Sequence, residues 1–130
     1  MRAFIVDLEN RPGTLAGLAE TIAGRGINIT GLSGAGSGSA GMVGLITNDD
    51  NGTRSALEGG SFTFHETDVV TALLDHRPGT LADATRRLAT AGINLAMVAI
   101  VDIQGDQLVI AFGVDNAADA KTALAELPGA

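Results

Sequence analysis

Two short loops contain the side chains best suited to hold a charged small molecule. Their sequences are Asn10-Arg11-Pro12-Gly13-Thr14-Leu15 and His76-Arg77-Pro78-Gly79-Thr80-Leu81. Each loop leads into a predicted helix, whose first backbone N–H groups and positive dipole end favour a carboxylate. Each also has a central glycine, which lets a ligand approach the main chain closely. Recognition of a carboxylate-bearing small molecule is therefore the chemistry that these loops suggest.

The two loops belong to an internal repeat with an offset of 66 residues. Between positions 11–29 and 77–95, ten of the 19 aligned residues are identical. Gly26-Ile27-Asn28-Ile29 and Gly92-Ile93-Asn94-Leu95 recur at the same offset. A fixed internal period indicates repeated structural units. We therefore predict two small domains, residues 1–67 and residues 68–130.

The first half shows the order β-α-β-β-α-β, which is the ferredoxin-like arrangement, and the second half repeats it without the last strand. In the first half, strands are predicted near 2–8, 27–32, 42–47 and 61–66, with helices from residue 12 and near 53–57. In the second half, strands are predicted near 69–74, 93–102 and 107–114, with helices at 78–90 and 117–127. Residues 128–130 leave no room for a fourth strand. The expected fold class is α+β: two ferredoxin-like βαββαβ units, the second lacking its last strand, with antiparallel sheets and helices on one face.

The starts of the helices and the join between the halves give more detailed expectations. Proline suits the first helical position, so the first helix is predicted to begin at Pro12 with Asn10 or Arg11 near its N-cap. No Gly, Pro or Asn marks a turn between residues 62 and 74. A single strand of that length would exceed the usual five or six residues. We therefore expect a bend near residues 67–68, between two abutting sheets.

Composition excludes several classes of function. The 130-residue chain has a net charge of −7 and scattered basic residues, which argues against nucleic-acid binding. It has no cysteine, so disulfides and thiol chemistry are absent. The two histidines, His65 and His76, lie on different predicted elements, without a carboxylate pair or metal-ligand spacing nearby. We expect a cytoplasmic protein that is not an enzyme, uses no cofactor or metal, and binds neither nucleic acid nor membrane.

A glycine-rich segment imitates a nucleotide-binding motif. Residues 36–41 match G-x-G-x-x-G. That motif binds a pyrophosphate only where it opens a helix. Here it leads into Met42-Val43-Gly44-Leu45-Ile46, a predicted strand, so we interpret it as a hairpin connection that could also cover a ligand.

The two halves resemble the ACT domain. The resemblance rests on a strand followed by Arg-Pro-Gly-Thr-Leu at a helix start, then Gly-Ile-Asn-Ile or Gly-Ile-Asn-Leu at the next strand. It covers nearly the whole chain, apart from the missing last strand. It implies a small regulatory module that binds an amino acid or related metabolite at the interface between paired domains. It also implies association, as a homo-oligomer such as a dimer, and a metabolic enzyme as a further partner.

Within that family, the chain resembles the serine-binding regulatory domain of phosphoglycerate dehydrogenase. The similarity assigns ligand contacts to Asn10 and to Asn28, the latter reaching its ligand from the partner domain. The corresponding residues of the second half are His76 and Asn94, and the neighbouring Ile29 and Leu95 complete the assigned sites. That domain also uses a histidine at a position that is occupied here by Leu8 and Leu74. A more apolar amino acid than serine is therefore expected.

Two alternatives remain open at this point. Pro-Gly at a strand-to-helix junction is also ordinary turn chemistry, and Asn28 and Asn94 could simply bond to neighbouring backbone. The chain could then be a ligand-free module for oligomerisation or for docking on a metabolic enzyme. Because Asn10 is replaced by His76, we expect the halves to differ in function, with ligand binding in the first.

Overall fold

The computed structural model of the chain describes residues 1–125 and residue 127. The chain divides into two compact units, Met1–Glu66 and Thr67–Ala130, which we call unit 1 and unit 2. Strand β4 (Phe64–Asp75) runs through the boundary, so unit 1 receives its first three residues and unit 2 the remainder. Each unit is described by itself below.

Unit 1 is an antiparallel sheet with two helices. Its strands follow the order β2-β3-β1-β4, and the register is fixed by pairs such as Phe4 with Leu45. The helices bury Leu18 and Ile22 of α1, and Leu57 of α2, against the same sheet face. The remaining elements are β1 (Arg2–Glu9), α1 (Thr14–Ala23), β2 (Ile29–Ser37), β3 (Ala40–Thr47) and α2 (Asp50–Gly59).

Unit 2 repeats this arrangement without a fourth strand in its described residues. Its strand order is β4-β6-β5, and its core packs around the fully buried Phe112, with Leu88 of α3 and Leu124 of α4. No strand follows α4 within residues 1–125 and 127, and residues 128–130 lie outside the described part. The remaining elements are α3 (Thr80–Thr90), β5 (Leu95–Gln104), β6 (Gln107–Val114) and α4 (Ala117–Leu124).

The α+β class and the ferredoxin-like order predicted from the sequence are confirmed. The predicted fourth strand of unit 1 and first strand of unit 2 are one strand, which continues through residues 67–68, where a bend between two sheets was expected. The last helix is capped by Asn116, whose side-chain oxygen accepts the N–H of Asp119. It ends at Leu124 rather than at 127, and residue 126 lies outside the described part.

The start of α1 also differs from the prediction. The helix begins at Thr14, and Pro12 lies in the preceding turn. Gly13 is the N-cap and adopts a left-handed conformation, with φ 94° and ψ −16°. Residues with a Cβ rarely adopt this conformation, so Gly13 is needed to turn the chain into the helix. Gly79 has the same role at the start of α3, with φ 94° and ψ −17°.

Two glycine-to-alanine substitutions, one at the N-cap of α1 and one inside the helix, test this role of Gly13. G13A is expected to lower the free energy of unfolding by about 1–2 kcal/mol, because alanine is strained at positive φ. The matched variant G17A lies inside α1, where a Cβ meets no atom within 4 Å, and should stabilise the protein by about 0.5–1 kcal/mol. Urea unfolding measures both values. Equal effects of the two variants would show that the left-handed conformation is unimportant.

Glu66, the last residue of unit 1, forms an ion-pair network with Arg54 and Arg2. Arg54 Nε and Nη2 donate to the two carboxylate oxygens of Glu66, each at 2.6 Å, and Arg2 Nε lies 3.4 Å from Oε1. The hydrogen bonds from Arg54 are the main reason that the pKa of Glu66 is lowered, and they outweigh the effect of partial desolvation. The carboxylate therefore stays ionised while its arginine partners hold it.

The lowered pKa of Glu66 predicts a pH-dependent stability. The folded protein binds fewer protons at Glu66 than the unfolded chain, so this stabilisation is present above the model-peptide value of 4.5 and disappears as the pH falls through the folded value. E66Q should therefore be less stable than the natural protein at pH 7, and the gap should narrow below about pH 4. Urea unfolding at pH 7 and pH 3 measures the gap, with E20Q, on the exposed surface of α1, as control. A gap that is constant with pH would contradict the ion-pair account.

Candidate ligand-binding site

The repeated Arg-Pro-Gly-Thr-Leu loops have the same geometry in both units. Thr14 Oγ1 donates to the carbonyl oxygens of Glu9, at 2.7 Å, and Arg11, at 3.1 Å. In unit 2, Thr80 Oγ1 makes the two corresponding bonds at 2.7 and 3.2 Å. Together with the left-handed glycine, these bonds fix a tight turn between strand and helix. The recurrence of glycine and threonine therefore has a structural cause.

This turn presents the start of α1 toward a cavity in unit 1. The Thr14 N–H bonds back to the Arg11 carbonyl at 3.5 Å, whereas the next N–H groups of the first turn have no carbonyl one turn earlier and favour an anion in front of them. The cavity has a volume of about 390 Å³, within the roughly 300–1,000 Å³ typical of small-molecule sites. Its walls come from the loop and from one end of β2 and β3. They comprise Leu8, Glu9, Asn10, Arg11, Thr14, Leu15, Leu32, Gly34, Ala35, Gly36, Gly41, Met42 and Val43.

The rim of the cavity has one charge of each sign. Arg11 Nε donates to Glu9 Oε2 at 2.5 Å, and both side chains are largely exposed, at 65% and 72%. An exposed pair of this kind adds little to stability. Its charges are therefore available to a ligand at little energetic loss.

Asn10 connects the loop to the β2–β3 hairpin. Its Nδ2 donates to the carbonyl oxygen of Gly38 at 2.9 Å, and its backbone N–H donates to that of Ser39 at 2.9 Å. Asn10 also lines the cavity, and its side-chain oxygen, which lies beside Gly36, can accept a further hydrogen bond. Asn10 therefore positions the hairpin and also offers one polar atom to a ligand.

Glycines form the hairpin side of the cavity. Gly34, Gly36 and Gly41 lie on β2 and β3, where Gly36 pairs with Gly41, and Gly41 also pairs with Leu8 of β1. A Cβ added to Gly36 would come within 2.6 Å of the Asn10 side-chain oxygen. Gly36 therefore leaves room for the Asn10 side chain, and the three glycines add no side chain of their own to the cavity wall.

The repeated loop of unit 2 has a much smaller cavity beside it, and none of the described residues of β5 or β6 lines that cavity. Its cavity is about 50 Å³ and is lined by Leu74, Asp75, Arg77, Thr80, Asp83 and Leu127. A single water molecule takes up about 30 Å³ in the liquid. The rim charges are present here too, with Arg77 Nε 3.7 Å from Asp75 Oδ2. The two units therefore share the polar loop and differ in the space beside it.

The predicted site residues fall into three groups. Asn10, Arg11, Thr14 and Leu15 line the unit 1 cavity, while Pro12 and Gly13 shape its loop. In unit 2, Arg77 and Thr80 line the small cavity, and His76, Pro78, Gly79 and Leu81 belong to the same loop without lining it. Asn28, Ile29, Asn94 and Leu95 lie at the opposite ends of β2 and β5 and are not brought to either cavity.

The asparagines at the strand starts bond through their backbone. The N–H of Asn28 donates to Asn48 Oδ1 at 3.0 Å, and the N–H of Asn94 donates to Asp115 Oδ1 at 3.3 Å. Ile29 and Leu95 pack against the cores of their units. Within one unit, these four residues therefore hold β2 and β5 in place.

The hairpin side of the cavity was missed in the sequence. The sequence predicted a connection into a strand that could cover a ligand, but it did not assign residues of β2 and β3 to the site; β3 (Ala40–Thr47) confirms the connection. A signal was nevertheless present, because Gly34 and Gly36 are two residues apart and therefore lie on one face of the strand. Leu32 has the same spacing and completes this wall.

Two further searches bear on the kind of site. In residues 1–125 and 127, no three His, Cys, Asp or Glu side chains are grouped in a way that could hold a metal ion. None of the described helices has the length and apolar character required to cross a membrane.

Fold and loop together define unit 1 as a ferredoxin-like α+β domain with an open groove at the start of its first helix. The ACT domain family model matches residues 2–58, which lie within unit 1. This match is more specific than the fold alone. A comparison with curated protein sequences found no significant match.

Solved structures share the fold over almost the entire chain. A Bacteroides thetaiotaomicron protein is 24% identical, with a TM-score of 0.79, over 96% of this chain and 86% of the other. The ligand-free regulatory subunit of aspartate kinase from Thermus thermophilus is 17% identical, with a TM-score of 0.70, over 95% and 87%. The corresponding subunit from Thermus flavus is 18% identical, with a TM-score of 0.67, over 96% and 91%. At these identities, the similarity shows the fold.

Proposed function

We propose that this protein is a non-catalytic regulator composed of two ACT domains, and that unit 1 binds a free amino acid. The observation that carries the proposal is the 390 Å³ groove, which has a helix N-terminus and two opposite charges at its rim. Unit 2 is included because it repeats the sequence and loop geometry of the matched segment. The regulatory role is supported by the family match and by the fold shared with aspartate kinase regulatory subunits.

A free amino acid fits this groove because it is a zwitterion. Its carboxylate would face Arg11 and the N–H groups at the start of α1, and its ammonium would face Glu9 and the Asn10 side-chain oxygen. Each charge-assisted hydrogen bond contributes roughly 1.5–3 kcal/mol. Three or four of them, less the entropy of immobilising the ligand, correspond to about −4 to −8 kcal/mol, or millimolar to micromolar affinity.

The family resemblance supports an assembly larger than one chain. It assigns Asn28 to the ligand from a partner domain, and Asn28 lies at the far end of β2 from the groove of its own unit. A homodimer in which another copy supplies this residue would agree with both the resemblance and the observed position of Asn28. The regulated partner would then be a metabolic enzyme.

Thermal unfolding of the full chain against the twenty amino acids tests this function. A ligand present at 100 times its Kd adds about 2.7 kcal/mol to the free energy of unfolding, which raises the melting temperature. At least one free amino acid at millimolar concentration should raise it, and its N-acetyl amide, which lacks both charges, should not. If no amino acid raises the melting temperature, the proposal is wrong.

A second candidate function is assembly or docking without any ligand. Strand β5 lies at the edge of the unit 2 sheet, where Ile100 and Ile103 are 58% and 65% exposed. An open strand edge with apolar side chains favours pairing with another chain. Light scattering at several concentrations distinguishes the cases, because an assembly module that ignores amino acids would associate equally with and without them.

A further inference from the structure

The most informative difference between the units is the side chain opposite the loop. Gly41 pairs with Leu8 in unit 1, and the residue in the same register of unit 2 is Leu108, which pairs with Leu74. Leu108 packs against the unit 2 core, where Gly41 has no side chain to do so. The same register places Ile103 of unit 2 in the position of Gly36.

The lining of the unit 1 groove also restricts the ligand. Glu9 and Arg11 are its charged residues, and both lie at the rim. Away from the rim, the walls are apolar at Leu8, Leu32 and Val43, and the Asn10 amide on this wall already bonds through its nitrogen to the Gly38 carbonyl. A charged or amide side chain placed there would lose its hydrogen bonds to water without replacement. An aliphatic side chain would instead bury apolar surface.

From these observations we propose that the unit 1 groove selects an amino acid with an aliphatic side chain, that Gly41 is a specificity-determining residue, and that unit 2 binds none. This inference rests on the proposed function, because it assigns the ligand class of that same groove. The ligand backbone lies at the rim with its charges on Glu9 and Arg11. Its side chain lies over Gly41, against Leu8 and Leu32.

Calorimetric titration of the full chain with leucine and asparagine tests the ligand class. The two side chains are similar in size and differ in polarity, so leucine should bind about 10- to 100-fold more tightly than asparagine, with one site per chain. Comparable affinities for the two would overturn the inference while leaving amino-acid binding intact. Binding of no amino acid at all would instead refute the proposed function.

Substitutions test the position of the site. G41L places in unit 1 the residue that unit 2 already has in this register, and should weaken leucine binding by at least about tenfold, because the side chain fills the groove. I103G, in unit 2, is the control and should bind leucine normally. Normal leucine binding by a folded G41L would overturn the inference.

A second pair of variants covers the case in which G41L fails to fold. Leu15 and Leu81 occupy the same loop position in the two units, and each is 48% exposed. L15S should weaken leucine binding severalfold, and L81S should leave it unchanged. Equal effects of the two substitutions would contradict a site confined to unit 1.

Discussion

Replacing Phe112 by alanine is expected to lower the free energy of unfolding by about 3–5 kcal/mol, a large part of the roughly 5–15 kcal/mol total for a domain. Phe112 is fully buried in the unit 2 core, in contact with α3 and α4 through Leu88 and Leu124. Its removal leaves a cavity in a small core whose described residues include no other aromatic side chain. The neighbouring side chains cannot fill it without leaving their rotamers.

Chemical unfolding followed by circular dichroism measures the effect of F112A. F62A is a suitable control, because Phe62 is only half-buried at the edge of the unit 1 core and should cost less. A loss below about 1 kcal/mol for F112A would show that this side chain is not the centre of the unit 2 core.

Arg11→Glu is expected to weaken amino-acid binding by about 10- to 100-fold or more. The change removes the cation that faces the ligand carboxylate and places a second acid beside Glu9, and one charge-assisted hydrogen bond alone corresponds to about 1.5–3 kcal/mol. Stability should hardly change, because the side chain is 65% exposed and its ion pair with Glu9 lies in solvent. A loss of binding would therefore report on the site itself.

Unit 2 supplies the matched control. Arg77 occupies the same loop position, is 62% exposed and lies 3.7 Å from an acid, as Arg11 lies beside Glu9. R77E should therefore bind the ligand like the natural protein, because the cavity beside it is only about 50 Å³. If R11E and R77E weaken binding equally, both units take part in recognition and the assignment to unit 1 is wrong.

The repeat was sufficient to predict the order of the elements, since each copy contains the same alternation of strand and helix signals. The sequence Pro12-Gly13 does not reveal that Gly13 is the N-cap. Proline is also common at the first position of a helix, and that pattern predicted a helix beginning at Pro12. The left-handed conformation of Gly13 depends on the Thr14 hydroxyl, which closes the turn on two carbonyls. These hydrogen bonds depend on the three-dimensional structure and leave no periodic pattern in the sequence.

The difference between the two cavities was harder to predict from the sequence, because the offset between equivalent residues of the two units is not constant. It is 66 residues at the loops but 67 at the hairpin turns, where Gly38 corresponds to Gly105, both with φ 60°. The extra residue belongs to an irregularity of β5 between Ile100 and Asp102. Aligned at a constant 66, Gly41 falls opposite Gln107 instead of Leu108. The sequence therefore suggested that the units differ in one polar side chain, Asn10 or His76. The structure shows that they differ in the volume of the cavity beside the loop.

The most direct test of the account is a titration of the ¹⁵N-labelled full chain with leucine, followed by backbone amide chemical shifts. If unit 1 holds the ligand, the largest changes should lie in residues 8–15 and 32–43, and residues 74–81 should change little. The same experiment on R11E should show small changes throughout. Large changes at residues 74–81, or none in unit 1 at saturating leucine, would contradict the claim that the groove of unit 1 is the ligand site.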